Sequence, residues 1–237
     1  MVKKISFLLI SLILLVSCVV QQNLNIITDQ GGWATTDLYV NDFFLGVLED
    51  FEPFYEDLKT KSIMDTAVDD FVDNLHNTTS ASAIGSIKIG DNSYFIDFDF
   101  SSLEKLLNEL NKKEEQSIFR IVKKSSQTSL NFYLDIKNYP QLVKMVPFLA
   151  DPNFETFGPL YNEGMSEQEY LEMISYILGQ EGPGAIDESV ISLRVTLPKI
   201  ILSHSNGIKE SPNSIRFDIP LIDFLLLAKP ITFSVSW

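Results

Sequence analysis

Apolar residues at Phe43, Phe44, Val47, Leu48 and Phe51 recur at the spacing of one helix face. Pro53 interrupts the run and stands near the start of a further turn carrying Phe54, Tyr55 and Leu58. Met64, Val68, Phe71, Val72 and Leu75 repeat the stripe, with Asp65, Asp69, Asp70 and Asp73 mostly opposite; this predicts an amphipathic helix. The period then changes to two. Ile87 and Ile89 lead into a Gly90-Asp91-Asn92-Ser93 turn, after which Tyr94, Ile96, Phe98 and Phe100 alternate with Phe95, Asp97 and Asp99. That is a hairpin with one buried face. Ser101 and Glu104 have capping-box spacing, with Ser101 as cap and Glu104 reaching back, ahead of a stripe of Leu103, Leu106, Leu107 and Leu110. A second hairpin follows over 118–123 and 130–136, around Ser125-Ser126-Gln127. Residues 84–136 thus read strand, strand, helix, strand, strand.

Upstream, 26–40 holds two apolar patches around Gly31-Gly32, read as two strands or an extended arm. Downstream, 142–149 predicts a short helix and 151–164 a loop-rich stretch. Ser166 and Glu169 form another capping box, opening a helix with Tyr170, Leu171, Ile174, Ile177 and Leu178 on one side. Gly179 ends it, and 180–184 reads as a break. Strands are expected over 190–197, 200–203, 215–219 and 231–237, with a turn at Asn206-Gly207. The apolar run 221–227 is too short for periodicity to assign. Consecutive strands joined by short turns favour antiparallel pairing. The fold class is α+β: a largely antiparallel sheet with amphipathic helices packed on one face.

The first eighteen residues are of another kind. Lys3 and Lys4 precede an apolar run over 5–16, which ends in Leu15-Val16-Ser17-Cys18. Charged, apolar and small-residue regions in that order make a secretory leader. The run is short of the roughly 20 residues a spanning helix requires. Leu15-Val16-Ser17-Cys18 resembles the lipobox of bacterial lipoproteins, and Cys18 is the one cysteine in 237 residues. The resemblance implies a signal peptide over 1–17 and a diacylglycerol on the sulfur of Cys18. It also implies an acyl group, of the palmitate kind, on the new amino terminus. Residues 18–25 would then be the acylated cysteine and a polar tether, and 26–237 a single α+β domain. Acyl chains worth about 0.8 kcal/mol per buried CH₂ would hold the body at the membrane. Val19 is not the aspartate that favours inner-membrane retention in enterobacterial lipoproteins, so an outer membrane is expected where the source has two.

Under a fifth of the chain carries a further likeness. Ser205-Asn206-Gly207, Asn213, Ile215-Arg216-Phe217, Ile219-Pro220-Leu221-Ile222-Asp223 and Lys229-Pro230-Ile231 are similar to the ends of spirochaete envelope lipoproteins. The same region resembles LppM-type actinobacterial lipoproteins, whose domain is thought to bind lipid. Neither group brings a catalytic motif.

Charge and composition narrow the function. The formal charge is −14; without the two leader lysines, 16 basic residues face 32 acidic ones, giving −16. Such a body is repelled by nucleic acid and by anionic headgroups. Hydrophobic residues at 45% allow a large core. His76 ends a helix stripe, where it complements the helix dipole, and His204 adjoins a turn. Ser203 and Ser205 flank His204, but strand neighbours point to opposite faces and make no nucleophile–base pair. Asp91, Asp97 and Asp99 lack the glycine and glutamate of a calcium loop, since Ser102 and Asn108 stand there. No enzyme activity, cofactor or metal is expected. Seventeen phenylalanines fit two arrangements: a filled core, or a wide apolar cavity between sheet and helices that holds a lipid. The first leaves a structural protein that meets an envelope partner; the second makes a ligand-binding one.

Metabolic labelling with a fatty-acid analogue should mark the wild-type protein and leave Cys18→Ala unmarked. Equal label in both would end the lipoprotein reading.

Overall fold

Strict alternation makes β4 (Ser93–Phe100) the clearest strand in the chain: Tyr94, Ile96, Phe98 and Phe100 are all buried. The computed structural model describes residues 19–28, 30–55 and 61–237. The leader and Cys18 lie outside these residues. From β4 a seven-stranded sheet extends in both directions. Its order is β3 (Ala81–Gly90), β4, β2 (Gly32–Tyr39), β1 (Val19–Ile26), β7 (Val190–Thr196), β10 (Ser214–Pro220), β9 (Ile208–Ser211). Neighbours are antiparallel except β1 and β7, which run parallel.

Register lines up one apolar face. Tyr94, Ile96 and Phe98 stand beside Leu38, Thr36 and Ala34, which stand beside Val20, Gln22 and Leu24. On the far side of β1 come Ile191, Leu193 and Val195, then Ile219, Phe217 and Ile215. The other face is polar at its centre. Arg194 bonds Glu210 at 2.7 Å and Asn23 at 3.3 Å, while Asp218 accepts from Ser192 and Arg216.

A second sheet of four strands has the order β5 (Phe119–Lys124), β6 (Gln127–Leu134), β11 (Ile231–Ser236), β8 (Ser203–Ser205). Phe132 and Phe233 of this sheet pack on Phe217 of β10, with ring centroids 6.2 and 5.2 Å apart. Aromatic pairs at such distances add to the burial of their area. The phenylalanines there fill the space between the two sheets. The helices are α1 (Asp42–Phe51), α2 (Ile63–His76), α3 (Leu103–Leu110), α4 (Tyr139–Met145), α5 (Pro152–Glu155), α6 (Glu167–Leu178), α7 (Gly182–Asp187) and α8 (Leu221–Leu226). Tyr170 and Ile174 of α6 join Ile186 of α7 and Ile222 and Leu226 of α8 in a smaller apolar cluster.

The α+β class and the largely antiparallel sheet are as the sequence predicts. Three local readings are corrected. Residues 21–25 are no tether; they lie inside β1, paired on both sides. Gln22 breaks the apolar alternation of that strand, and its amide is satisfied by Thr36 at 2.6 Å and the Thr35 carbonyl at 3.1 Å. The cap of α3 is Ser102, not Ser101, and Glu104 does not reach back. Its carboxylate instead accepts from the Ile121 N–H at 2.9 Å, a donor on the edge strand β5. Residues 180–184 are not simply a break, because α7 begins at Gly182. The Asn206-Gly207 turn, with both residues at positive φ, passes the chain from β8 in one sheet to β9 in the other. The two hairpins of 84–136 likewise belong to different sheets, with α3 between them.

Leu106 is 2% exposed and Leu107 only half-buried. Leu106→Ala should therefore cost about 2–5 kcal/mol and Leu107→Ala clearly less. Urea melts of the two variants check the order; the reverse order would mean the inward face of α3 is misassigned.

Candidate functional site

An open cleft lies where α1, the start of α2 and the tip of the β3–β4 hairpin meet. Each wall has a local cause. Asn41 caps α1 by accepting from the Phe44 N–H at 3.0 Å. Just before it, the Val40 N–H donates to the Asn92 carbonyl at 3.0 Å, tying the helix entry to the hairpin tip. Pro53 sits in the first turn of a 3-10 segment, Glu52–Phe54, that ends the helical run of α1. Ser62 and Asp65 form a capping box that starts α2.

The cleft measures about 790 Å³. Leu45, Leu48, Pro53, Ile63 and Met64 supply apolar lining, and Glu49, Glu52, Lys61, Lys88 and Asp91 bring charges of both signs. Lys61 is paired with Asp69 and Lys88 with Asp65. Tyr55 closes one side and donates to Asp151 at 2.6 Å. Burial, then the Asp151 carboxylate, pushes the Tyr55 phenol up to about 12.

Asp65 is the best-connected carboxylate beside the cleft. It accepts from the Tyr94 hydroxyl, from the Lys88 ammonium at 2.9 and 3.1 Å, and from the Ser62 hydroxyl at 2.9 Å. The Tyr94 bond, followed by those from Lys88 and Ser62, holds its pKa far below the usual carboxylate range against the opposing effect of burial. The same contacts raise Lys88, through Asp65 first. A cluster this fully paired fixes the hairpin to α2. It is a structural clamp with its donors and acceptors mutually satisfied.

The residues singled out in sequence do not converge. His76 is exposed in the last turn of α2, some 20 Å of helix away from the cleft at about 1.5 Å per residue. His204 is exposed on β8, and its neighbouring serines bond Ser236 and Ser234 across the ladder at 2.7 and 2.9 Å. Asp97 and Asp99 lie on the outward face of β4, while Asp91 is at the hairpin tip. Among the described residues no group of three or more His, Cys, Asp or Glu is arranged to hold a metal ion. No helix among them is long and apolar enough to cross a membrane. A shallower groove of about 520 Å³ runs along α6 beside Leu171, Glu172 and Pro183.

The Asp65 clamp escapes a sequence reading that places the four aspartates mostly opposite the apolar stripe of α2. Its signal is the Ser62-x-x-Asp65 spacing directly ahead of the apolar stripe. Nothing local points to Lys88 or Tyr94 as partners.

No protein-family model matches the chain, and no curated protein matches it. Among solved structures it is similar to the folded domain of the Mycobacterium tuberculosis LppM protein, determined by NMR. The two are 8% identical, over 92% of this chain and 88% of that one, with a TM-score of 0.38. A likeness of that grade carries no conclusion about fold or function.

Asp65→Ala should lower stability at neutral pH by about 1–3 kcal/mol, since it removes the acidic half of the α2 capping box and the acceptor of the buried Tyr94 hydroxyl. A carboxylate with a lowered folded pKa contributes stability that is full above its unfolded value, about 3.9, and lost as pH falls through the folded one. The gap between wild type and variant should accordingly shrink as pH drops below about 4. Urea melts across that range test this, and an unchanged gap would refute the charged clamp.

Proposed function

We propose that the protein is a non-catalytic envelope lipoprotein, anchored through acyl chains on Cys18, that binds a lipid or similar amphiphile in the α1–α2 cleft. The observation that carries this reading is the cleft itself. Its lining pairs an apolar patch with charges of both signs, which is the chemistry of an amphiphile with a zwitterionic head. Its volume of about 790 Å³ lies within the range of small-molecule sites. The Asp91 wall of the cleft is at the end of the sheet where β1 begins, and β1 begins one residue after Cys18 in sequence. An outer membrane remains the expected location where the source has two.

A second reading has its own support. Ile200, Leu202 and Ile208 are about 60% exposed, at 63%, 59% and 59%, beside the edge strands β8 and β9. An envelope protein meeting this patch would make the body a structural or interaction module. The interior between the sheets, filled with aromatic rings, suits that reading as well.

Native mass spectrometry of the full protein, purified in mild detergent from its host, separates the two. A co-purifying lipid that is lost in Leu48→Asp would support the cleft. An empty wild-type protein would sink the ligand reading, and a co-purifying polypeptide in its place would favour the second.

A further inference from the structure

We propose that the end of the seven-stranded sheet where β1 begins is a membrane-contact surface, with the β3–β4 hairpin tip seated among the headgroups. This rests on acylation at Cys18. The argument starts from where pairing begins. Val19 is already in register with Tyr39 on one side and Val190 on the other. A single peptide unit, about 3.8 Å between Cα atoms, separates it from Cys18. No spacer residues remain to let the body stand away from the bilayer.

A strand held on both sides carries its neighbours with it. The row Ser93, Tyr39, Val19, Val190, Pro220 crosses the sheet at this end. Strands are about 4.8 Å apart, so the β3–β4 tip, two to three strands away, lies roughly 10–14 Å to the side of β1. There Ile87 and Ile89 are 61% and 69% exposed, and Phe95, the register partner of Ile87, is half-buried. Asp91 at the tip opposes deep insertion, because a charge is costly in hydrocarbon. The contact therefore belongs at headgroup depth, with the isoleucines against the upper acyl region. Further along the strands the outward face turns polar at Asn23, Thr35, Asp97 and Arg194, which suits water.

Apolar exposure alone does not choose this end. Ile27, 62% exposed, follows β1 at the opposite end, about 25 Å away at 3.3 Å per residue. The point of attachment chooses. The mature charge of −16 adds a lipid preference: the contact suits zwitterionic headgroups and is weakened by anionic ones.

The test places one added tryptophan at each end, Ile89→Trp and Ile27→Trp, in the acylated protein on phosphatidylcholine vesicles containing brominated acyl chains. The native Trp237 is buried, and Trp33 lies at the far end of the sheet, so the wild type should be weakly quenched. Ile89→Trp should be blue-shifted and quenched several-fold more than Ile27→Trp, and anionic lipid should reduce the difference. Equal quenching at the two positions, or none at either, would overturn the proposal. The intact mass of the host-derived protein shows whether Cys18 is acylated. If it is not, coupling the mature chain through Cys18 to a maleimide lipid still measures the contact surface, so the two failures are told apart.

Discussion

β1 is the link on which the larger sheet depends. In hydrogen-bond order it stands between the half made of β3, β4 and β2 and the half made of β7, β10 and β9. Its parallel pairing with β7 joins residues near the start of the folded body to others far along the chain. Such long-range pairing costs loop-closure entropy before it returns any contact energy, so this seam is among the costlier ones to close. A side-chain bond reinforces the seam on the outer face, where Arg194 of β7 reaches Asn23, while on the inner face Gln22 is held instead by Thr36 of β2.

The second sheet is held to the first by packing and by chain continuity. Rings of Phe132, Phe217 and Phe233 are shared between them. The Asn206-Gly207 turn carries the chain across, and a Cβ on Gly207 would meet the Arg216 carbonyl at 2.9 Å as well as strain a φ of +105°. Glu104 of α3 covers an N–H of the β5 edge, which otherwise offers itself to a foreign strand. With the interior occupied in this way, open volume is displaced outward, to the helix-lined end where α1 and α2 approach the hairpin tip.

That geometry bears on the proposed anchor and the cleft together. A flexible tether would let the body sample many orientations and leave the cleft at no fixed height. A strand that begins one residue after Cys18, the proposed anchor, would remove that freedom. The Asp65 clamp holds the β3–β4 tip against α2, so the cleft wall and the proposed contact surface form one piece.

Much of this was legible in sequence wherever one local pattern decided the outcome. The alternation of β4, the stripe of α2 and the Ser166–Glu169 capping box are each set by neighbours a few residues apart, and each appears as read. The run 221–227 gave no period because seven residues make under two turns, and its helix, Leu221–Leu226, is decided by Ile222 and Leu226 packing on α6 and α7. Polar residues over 21–25 concealed β1, since a strand buried on one face and bonded on both edges needs only half its side chains apolar. Which sheet each hairpin joins, which partner Asp65 takes, and where the cleft opens depend on residues distant in the chain. Local pattern determines the elements; only three-dimensional packing, which brings those distant partners together, decides their arrangement.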